Sequence, residues 1–216
     1  MKSRIRNIRQ PWKVLLLDTL TSKVVLLGDG SVGKTSIKKR FVGLKFEGTY
    51  MATMGADFTI KEHEYQTKDG NEVRLKYMIW DIAGQMRYNA VRPHYYLGSH
   101  SALLVYDVTN FNSVDSILSW ITEFKKTVRH PVPITLIGNK IDLRDEMNIS
   151  GLTYEDGVKL AEKVNELVTK LDTQAGNYNY FNVDFIETSA KTGININKAF
   201  DSLAEHLYQR YLAENR

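Results

Sequence analysis

Residues Gly28 to Thr35 read GDGSVGKT, directly after a short apolar run, Val24 to Leu27, and directly before a helical pattern from Lys34 to Phe41. The spacing is Gly, four residues, Gly, Lys and then Ser or Thr, and it works only between a strand and a helix. The glycines let the backbone curl until successive N–H groups aim at one point, where the N-terminus of the next helix adds positive potential. Such a loop cradles phosphates, with Lys34 reaching the outer ones and Thr35 offering a hydroxyl to Mg²⁺. This segment therefore commits its part of the chain to a β-loop-α unit and to a phosphorylated ligand.

From Lys23 onward, short β-rich runs alternate with helical patterns, which is the signature of a mostly parallel sheet with helices on both faces. Phe58 to Gln66 and Glu72 to Trp80 are predicted strands joined through the Lys68, Asp69, Gly70, Asn71 turn, so they form an antiparallel edge hairpin. Ala102 to Tyr106 and Ile134 to Gly138 read as buried strands. Between them Val114, Ile117, Leu118, Ile121, Phe124 and Val128 recur at helical spacing and predict a helix with a core-facing stripe. A capping box at Thr153 and Asp156 opens a helix through Val158, Ala161, Val164, Leu167 and Leu171. Phe185 to Glu187 is the last strand, and Ala199, Phe200, Leu203 and Leu207 mark the closing helix. Residues 174–184 (QAGNYNYFNVD) have no clear period and read as an ordered loop or insert.

The 216 residues, 43% hydrophobic and 25% charged, suit one soluble domain with a full core. The longest apolar run, Ala102 to Tyr106, is far short of the roughly 20 residues that span a bilayer. The absence of Cys removes disulfides, thiolate metal sites, Cys nucleophiles and prenyl or palmitoyl anchors, and points to a cytoplasmic setting. The chain ends LAENR, so any membrane role is expected to use another anchor. The net charge is +4, but Lys2, Arg4, Arg6, Arg9 and Lys13 are unopposed within residues 1–13, leaving 4 − 5 = −1 for the rest. A near-neutral body argues against nucleic acid as partner.

We therefore divide the chain into an N-terminal extension, residues 1–21, and a domain, residues 22–216. In the extension Ile5, Ile8, Trp12 and Leu15 line one helical face opposite the basic residues, a pattern that suits an anionic membrane surface over residues 1–20. Pro11 interrupts that helix, and a loose basic arm or a helix packed on the domain fits the same letters. No secretory signal pattern is present. The histidines, His63, His94, His100, His130 and His206, show no metal-ligand spacing.

Two further segments narrow the chemistry. Trp80 to Gln85 reads WDIAGQ at a strand end, placing the Asp81 carboxylate where a Mg²⁺ contact is needed and the Gly84 N–H where it can touch a γ-phosphate. Asn139 to Asp142 reads NKID after another strand, and an Asp there accepts from the N1–H and N2–H₂ donors of guanine, a donor pair that adenine lacks. That selects GTP over ATP.

With GDGSVGKT, Thr53 in TMGADF, WDIAGQ, NKID and ETSAK (Glu187 to Lys191) in this order, the sequence resembles the Ras superfamily of small GTPases from about Lys23 to Tyr211. TMGADF, Arg87 and Tyr88 after WDIAGQ, YYLGS and LLVYDVTN most resemble the Rab branch, which directs membrane traffic. The resemblance implies the P-loop GTPase fold, with a six-stranded, mostly parallel sheet, and a monomer. It implies that Gly28, Asp29, Gly30, Ser31, Val32, Gly33, Lys34 and Thr35 hold phosphates and that Ser36 donates to the α-phosphate. Phe46 would pack on the guanine, Tyr50 and Thr53 would close over the γ-phosphate, and Asn139, Lys140, Asp142, Ser189, Ala190 and Lys191 would form the base pocket. Mg²⁺ would be held by Thr35, Thr53 and Asp81.

In the mechanism so implied, Gln85 orients the attacking water, while Lys34 and Thr53 hold the phosphates. Hydrolysis to GDP then releases both switch segments, through which effectors, an exchange factor and a GTPase-activating protein would act. Intrinsic turnover is expected to be slow. Arg87 and Arg92 read as solvated surface arginines, the other reading being an internal arginine finger. Two departures stand out: Ile82 replaces the usual Thr, and Met86 replaces the usual Glu. They keep open a second reading, a GTP-binding scaffold with little or no hydrolysis.

Overall fold

A computed structural model describes residues 19–45, 52–146, 152–174, 176 and 181–214. In chain order its elements are β1 (Leu20–Leu27), α1 (Lys34–Phe41), β2 (Ala56–Gln66), β3 (Glu72–Ile82), α2 (Arg92–Tyr96), β4 (Ser101–Asp107), α3 (Phe111–Asp115), α4 (Ile117–Thr127), β5 (Ile134–Asn139), α5 (Asp142–Glu146), α6 (Tyr154–Gln174), β6 (Asp184–Thr188) and α7 (Ile196–Glu214). Phe46, Tyr50, residues 1–18 and residues 177–180 of the 174–184 segment lie outside the described residues.

The strands form one sheet in the order β2-β3-β1-β4-β5-β6. β3, β1, β4, β5 and β6 run parallel, and β2 pairs antiparallel with β3, from Ala56 opposite Ile82 to Gln66 opposite Glu72. The helices cover both faces, because successive residues of a strand point to opposite sides. Val24 and Leu26 of β1 join Ile37 and Phe41 of α1 and Phe200 and Leu203 of α7 in one core layer. Val25 and Leu27 join Tyr96 of α2, Ile121 and Phe124 of α4, and Val164 and Val168 of α6 in the other. No helix among the described residues is long and apolar enough to cross a membrane.

β1 starts at Leu20, inside the stretch read as extension. Its first half, LTSK, carries no apolar run, but it pairs with β3 from Leu20 opposite Leu75, and Ser22 is buried and shares a hydrogen bond with Ser101 (3.2 Å), so the ladder to β3 carries the strand upstream. The helix expected across 114–128 is divided: Asn110 caps α3 by accepting from the Asn112 N–H, and α4 restarts after Ser116. The division turns Leu118 outward to 38% exposure, and that residue of the stripe is not core. At Thr153 the capping box forms as expected, with the Thr153 N–H donating to Asp156 Oδ2 (3.0 Å) and the Asp156 N–H to Thr153 Oγ1 (3.2 Å).

Candidate functional site

β1, β3, β5 and β6 all deliver their C-terminal ends to one rim of the sheet, and there the four motifs meet. The strand order reverses between β1 and β4: α1, which follows β1, packs on one face of the sheet and α4, which follows β4, on the other. In open α/β sheets the crevice at such a reversal is where ligands bind. The loop from Gly28 to Gly33 fills it. Gly33, the residue before α1, has φ +103°, and a Cβ there would lie 2.2 Å from Asn139 Nδ2, so only glycine fits.

Lys34 is 6% exposed, and its ammonium donates to the carbonyls of Gly28 and Asp29, both at 2.6 Å. Burial lowers its pKa to about 8; the Arg92 charge adds to the depression, while Asp81 and Asp29 oppose it. A desolvated ammonium held only by carbonyls gains most from a fully charged anion, which a phosphate provides.

Beside it, three segments converge on one carboxylate. Thr35 Oγ1 donates to Asp81 Oδ2 (2.5 Å), lies 3.0 Å from Thr53 Oγ1, and Thr53 Oγ1 is 3.5 Å from the same Asp81 oxygen. Asp81 is fully buried at the end of β3, and its Oδ1 has no hydrogen-bond partner. Burial raises its pKa despite the Thr35 hydrogen bond and the charges of Lys38 and Lys34. An unpartnered buried carboxylate oxygen beside two hydroxyls is a donor set that fits a hard divalent cation. Gly84 follows on the same segment, where a Cβ would meet Asp29 C at 2.4 Å and Gly30 N at 2.5 Å. Gln85, half-buried, accepts at its carbonyl from the Tyr88 N–H (3.1 Å) as the chain turns through Met86–Tyr88.

The second half of the site lies past β5 and β6. Asn139, 1% exposed, donates from Nδ2 to Val32 O (2.9 Å) and accepts at Oδ1 from Thr188 Oγ1 (3.0 Å) and the Ala190 N–H (3.2 Å). Its amide thus braces the phosphate loop against residues 188–190. Ser189 Oγ donates to Asp142 Oδ1 (2.5 Å), and Lys191 Nζ lies 3.8 Å from Asp142 Oδ2. Lys140 has φ +70° and pairs with Asp107 (2.6 Å).

Lys38 and Arg40 were not singled out from the sequence, and Arg92 and Ile82 take places other than their letters suggested. Lys38, 3% exposed, pairs with Asp57 and lies 4.0 Å from Asp81. Arg40 donates to the carbonyls of Ala190 (3.1 Å) and Lys191 and so ties α1 to the far loop. Arg92 is 4% exposed and paired to Glu123, which corrects its reading as a solvated arginine; Arg87 is exposed, over the Tyr88 ring. Ile82, 1% exposed, fills the core layer beneath α2. Charged letters on a helix face read as solvated until a neighbouring element is known, so the letters alone give no sign that Lys38 is buried and misplace Arg92 at the surface.

A mostly parallel sheet bearing a phosphate loop at its switch point, with a carboxylate and two hydroxyls beside the loop lysine, is the P-loop GTPase fold. The chain belongs to the Ras family, whose match covers residues 23–209. Among its relatives, the Ras-related protein Rab-37 of Homo sapiens is 41% identical over 192 residues, 88% of this chain and 75% of that protein. The Ras-related protein Rab-26 of Homo sapiens is 39% identical over 189 residues, 87% of this chain and 64% of that protein. The Ras-related protein Rab-8A of Bos taurus is 37% identical over 185 residues, 86% of this chain and 77% of that protein. The chain thus spans less than two thirds of the length of Rab-26.

Proposed function

We propose that this Rab-like chain is a molecular switch that binds GTP and GDP with Mg²⁺, hydrolyses GTP slowly and recruits effectors in membrane traffic. The observation that carries the reading is the convergence of Thr35, Thr53 and Asp81, from three separate segments, beside the buried Lys34. The loop Gly28, Asp29, Gly30, Ser31, Val32, Gly33 and its Ser36 extension hold the phosphates, and Lys34 exchanges its two carbonyl partners for phosphate oxygens. Thr35, Thr53 and Asp81 hold the metal ion, which when bound neutralises charge on the β- and γ-phosphates. Asp142, fixed by Ser189, faces the guanine donors, with Lys140, Ala190 and Lys191 around the base. Asn139 keeps that pocket and the phosphate loop in one frame. Phe46 would pack on the guanine, and Tyr50 with Thr53 would close over the γ-phosphate.

For hydrolysis, Gln85 orients water for in-line attack on the γ-phosphorus; the bond to the β–γ bridging oxygen breaks, giving GDP and inorganic phosphate. Loss of the γ-phosphate removes the acceptor for the Thr53 and Gly84 N–H groups, and the two switch segments relax. Between those segments Phe58 (44% exposed) packs on Trp80 with ring centroids 5.1 Å apart, and Trp80 on Tyr95 at 5.8 Å. With Met54 at 82% and Ile60 at 48% exposure, this is an apolar surface next to the switches, suited to effectors and regulators. The residues upstream of β1, 1–19, supply the contact with an anionic membrane surface from the cytoplasmic side. Charge reversal at Lys2, Arg4, Arg6 and Arg9 is expected to reduce sedimentation with phosphatidylserine vesicles.

The deciding experiment is single-turnover phosphate release from GTP and from ATP with Mg²⁺, for wild type and Gln85→Leu. Slow release from GTP alone, lost in the variant, is the expected result. Tight GTP binding without release would replace the switch by a scaffold, and use of ATP would sink both.

A further inference from the structure

Arg92 opens α2, directly after the segment that carries Gly84 and Gln85. Its guanidinium lies over the Trp120 ring, 4.1 Å from the centroid, and is held by both oxygens of Glu123, Nε to Oε1 at 2.9 Å and Nη2 to Oε2 at 2.6 Å. Tyr96, at the end of α2, donates its hydroxyl to Glu123 Oε1 (2.8 Å). Trp120 is 5% exposed, and its indole Nε1–H donates to Asp29 Oδ1 (2.7 Å). Asp29 is the second residue of the phosphate loop, and its carbonyl accepts from Lys34.

These contacts form one connected series, from the first turn of α2 through α4 to the phosphate loop, and it makes no use of the nucleotide. Its geometry has a consequence for Gln85. The segment from Gly84 to Arg92 is anchored at both ends, and both anchors refer to Asp29: Gly84 lies against the Asp29 and Gly30 backbone, and Arg92 reaches the Asp29 carboxylate through Trp120. Gln85 sits one residue from the first anchor. A buried, bidentate and ring-stacked arginine is a rigid attachment, because its charge is satisfied on one side and its flat face on the other.

We propose that Trp120 is a positioning residue that ties α2 to the phosphate loop, so that Arg92 and Glu123 fix the second switch segment, and with it Gln85, against Lys34 in the GTP-bound state. The inference rests on the GTPase reading above. Neither Trp120 nor Arg92 is assigned to nucleotide contact; they act through Asp29 and the segment they anchor.

The test is a double-mutant cycle on the full chain, measuring single-turnover GTP hydrolysis together with dissociation of GTPγS and of GDP. Trp120→Phe keeps an aromatic face beside Arg92 but removes the indole N–H together with part of the ring system; Arg92→Leu removes the anchor. Each is expected to slow hydrolysis and speed GTPγS release by roughly fivefold, with GDP release changed less than twofold, and the double variant is expected to be no worse than the stronger single. Unchanged rates in Trp120→Phe, or effects that multiply in the double variant, would overturn the tie. Equal acceleration of GDP and GTPγS release would also overturn it, since general loosening does not discriminate the γ-phosphate. If Arg92→Leu fails to fold, Asp29→Ala replaces it in the cycle with Trp120→Phe. If wild type does not hydrolyse GTP at all, the GTPase reading fails, and the same cycle in GTPγS dissociation decides the tie separately.

Discussion

Asn139 carries more connections than its place in a four-residue motif suggests. A carboxamide has donors and an acceptor on one planar group, so it alone bridges Val32 on one side and Thr188 and Ala190 on the other. Asn139→Ala breaks three buried hydrogen bonds and leaves their partners unsatisfied, a loss of about 2–4 kcal/mol. Fluorescent-GDP release is therefore expected to accelerate by roughly 30-fold or more, with a lower melting temperature. Gly84→Ala acts by volume alone: its Cβ would sit inside the Asp29–Gly30 backbone, and that backbone cannot swing away as a flexible side chain would. We expect Gly84→Ala to lose the triphosphate-bound conformation while still binding GDP, read as a GTPγS affinity at least tenfold weaker than the GDP affinity. The identities of both residues were legible in the sequence. The direction in which Asn139 points was not, since that depends on two loops distant in the chain.

At the scale of elements, α4 and α6 are held together by more than their apolar stripes. Lys125 and Asp172, 5% and 0% exposed, form an ion pair between the two helices, and Lys125 also donates to the His130 carbonyl (2.8 Å). Two such letters at helical spacing predict a solvated face, and the pairing appears only when the helices are laid side by side. Removing one partner strands a buried charge, so Lys125→Met is expected to lower unfolding stability by about 3–5 kcal/mol, whereas Lys125→Met with Asp172→Leu recovers most of it. Urea denaturation of the three proteins checks this. The same logic explains the boundaries that differed. Local pattern locates the middle of β1 and of the 111–127 helices, but the ladder to β3 extends one and the break at Ser116 divides the other.

For the molecule as a whole, acid stability depends on the end of the sheet opposite the loop motifs. There the Lys23 N–H donates to His100 Nδ1 (3.0 Å), a bond that requires the unprotonated nitrogen. Although solvent reaches both imidazoles, partial desolvation lowers the pKa of His100 and His130 below 6.5, and Arg210 lowers both further; Lys23 also lowers His100, while a backbone bond at Ser99 opposes the shift of His130. The unfolded chain therefore binds more protons just below pH 6.5 than the folded one. Stability is full above that pH and falls as acid carries it through 6.5 toward the lower folded values. Unfolding free energies at pH 7.5, 6.5 and 5.5 are expected to decline, and His100→Asn, which keeps an acceptor without a titration, is expected to flatten the decline.

The amino-acid sequence by itself determined the class of ligand and the layer architecture. GDGSVGKT, WDIAGQ, NKID and ETSAK are local chemistry, needing only a strand before each, and the alternation of short apolar runs with helical periods demands a covered, mostly parallel sheet. These are short-range properties, so they survive being read along a line. Which strand lies beside which, and therefore that the strand order reverses between β1 and β4 beside the phosphate loop, is decided by long-range pairing. The burial of Arg92, Lys38 and Lys125, the bracing by Asn139 and the path from Arg92 through Trp120 to Asp29 belong to the tertiary structure as well. A charged or aromatic side chain has several physically sensible environments, and only the neighbour that packing brings to it selects one.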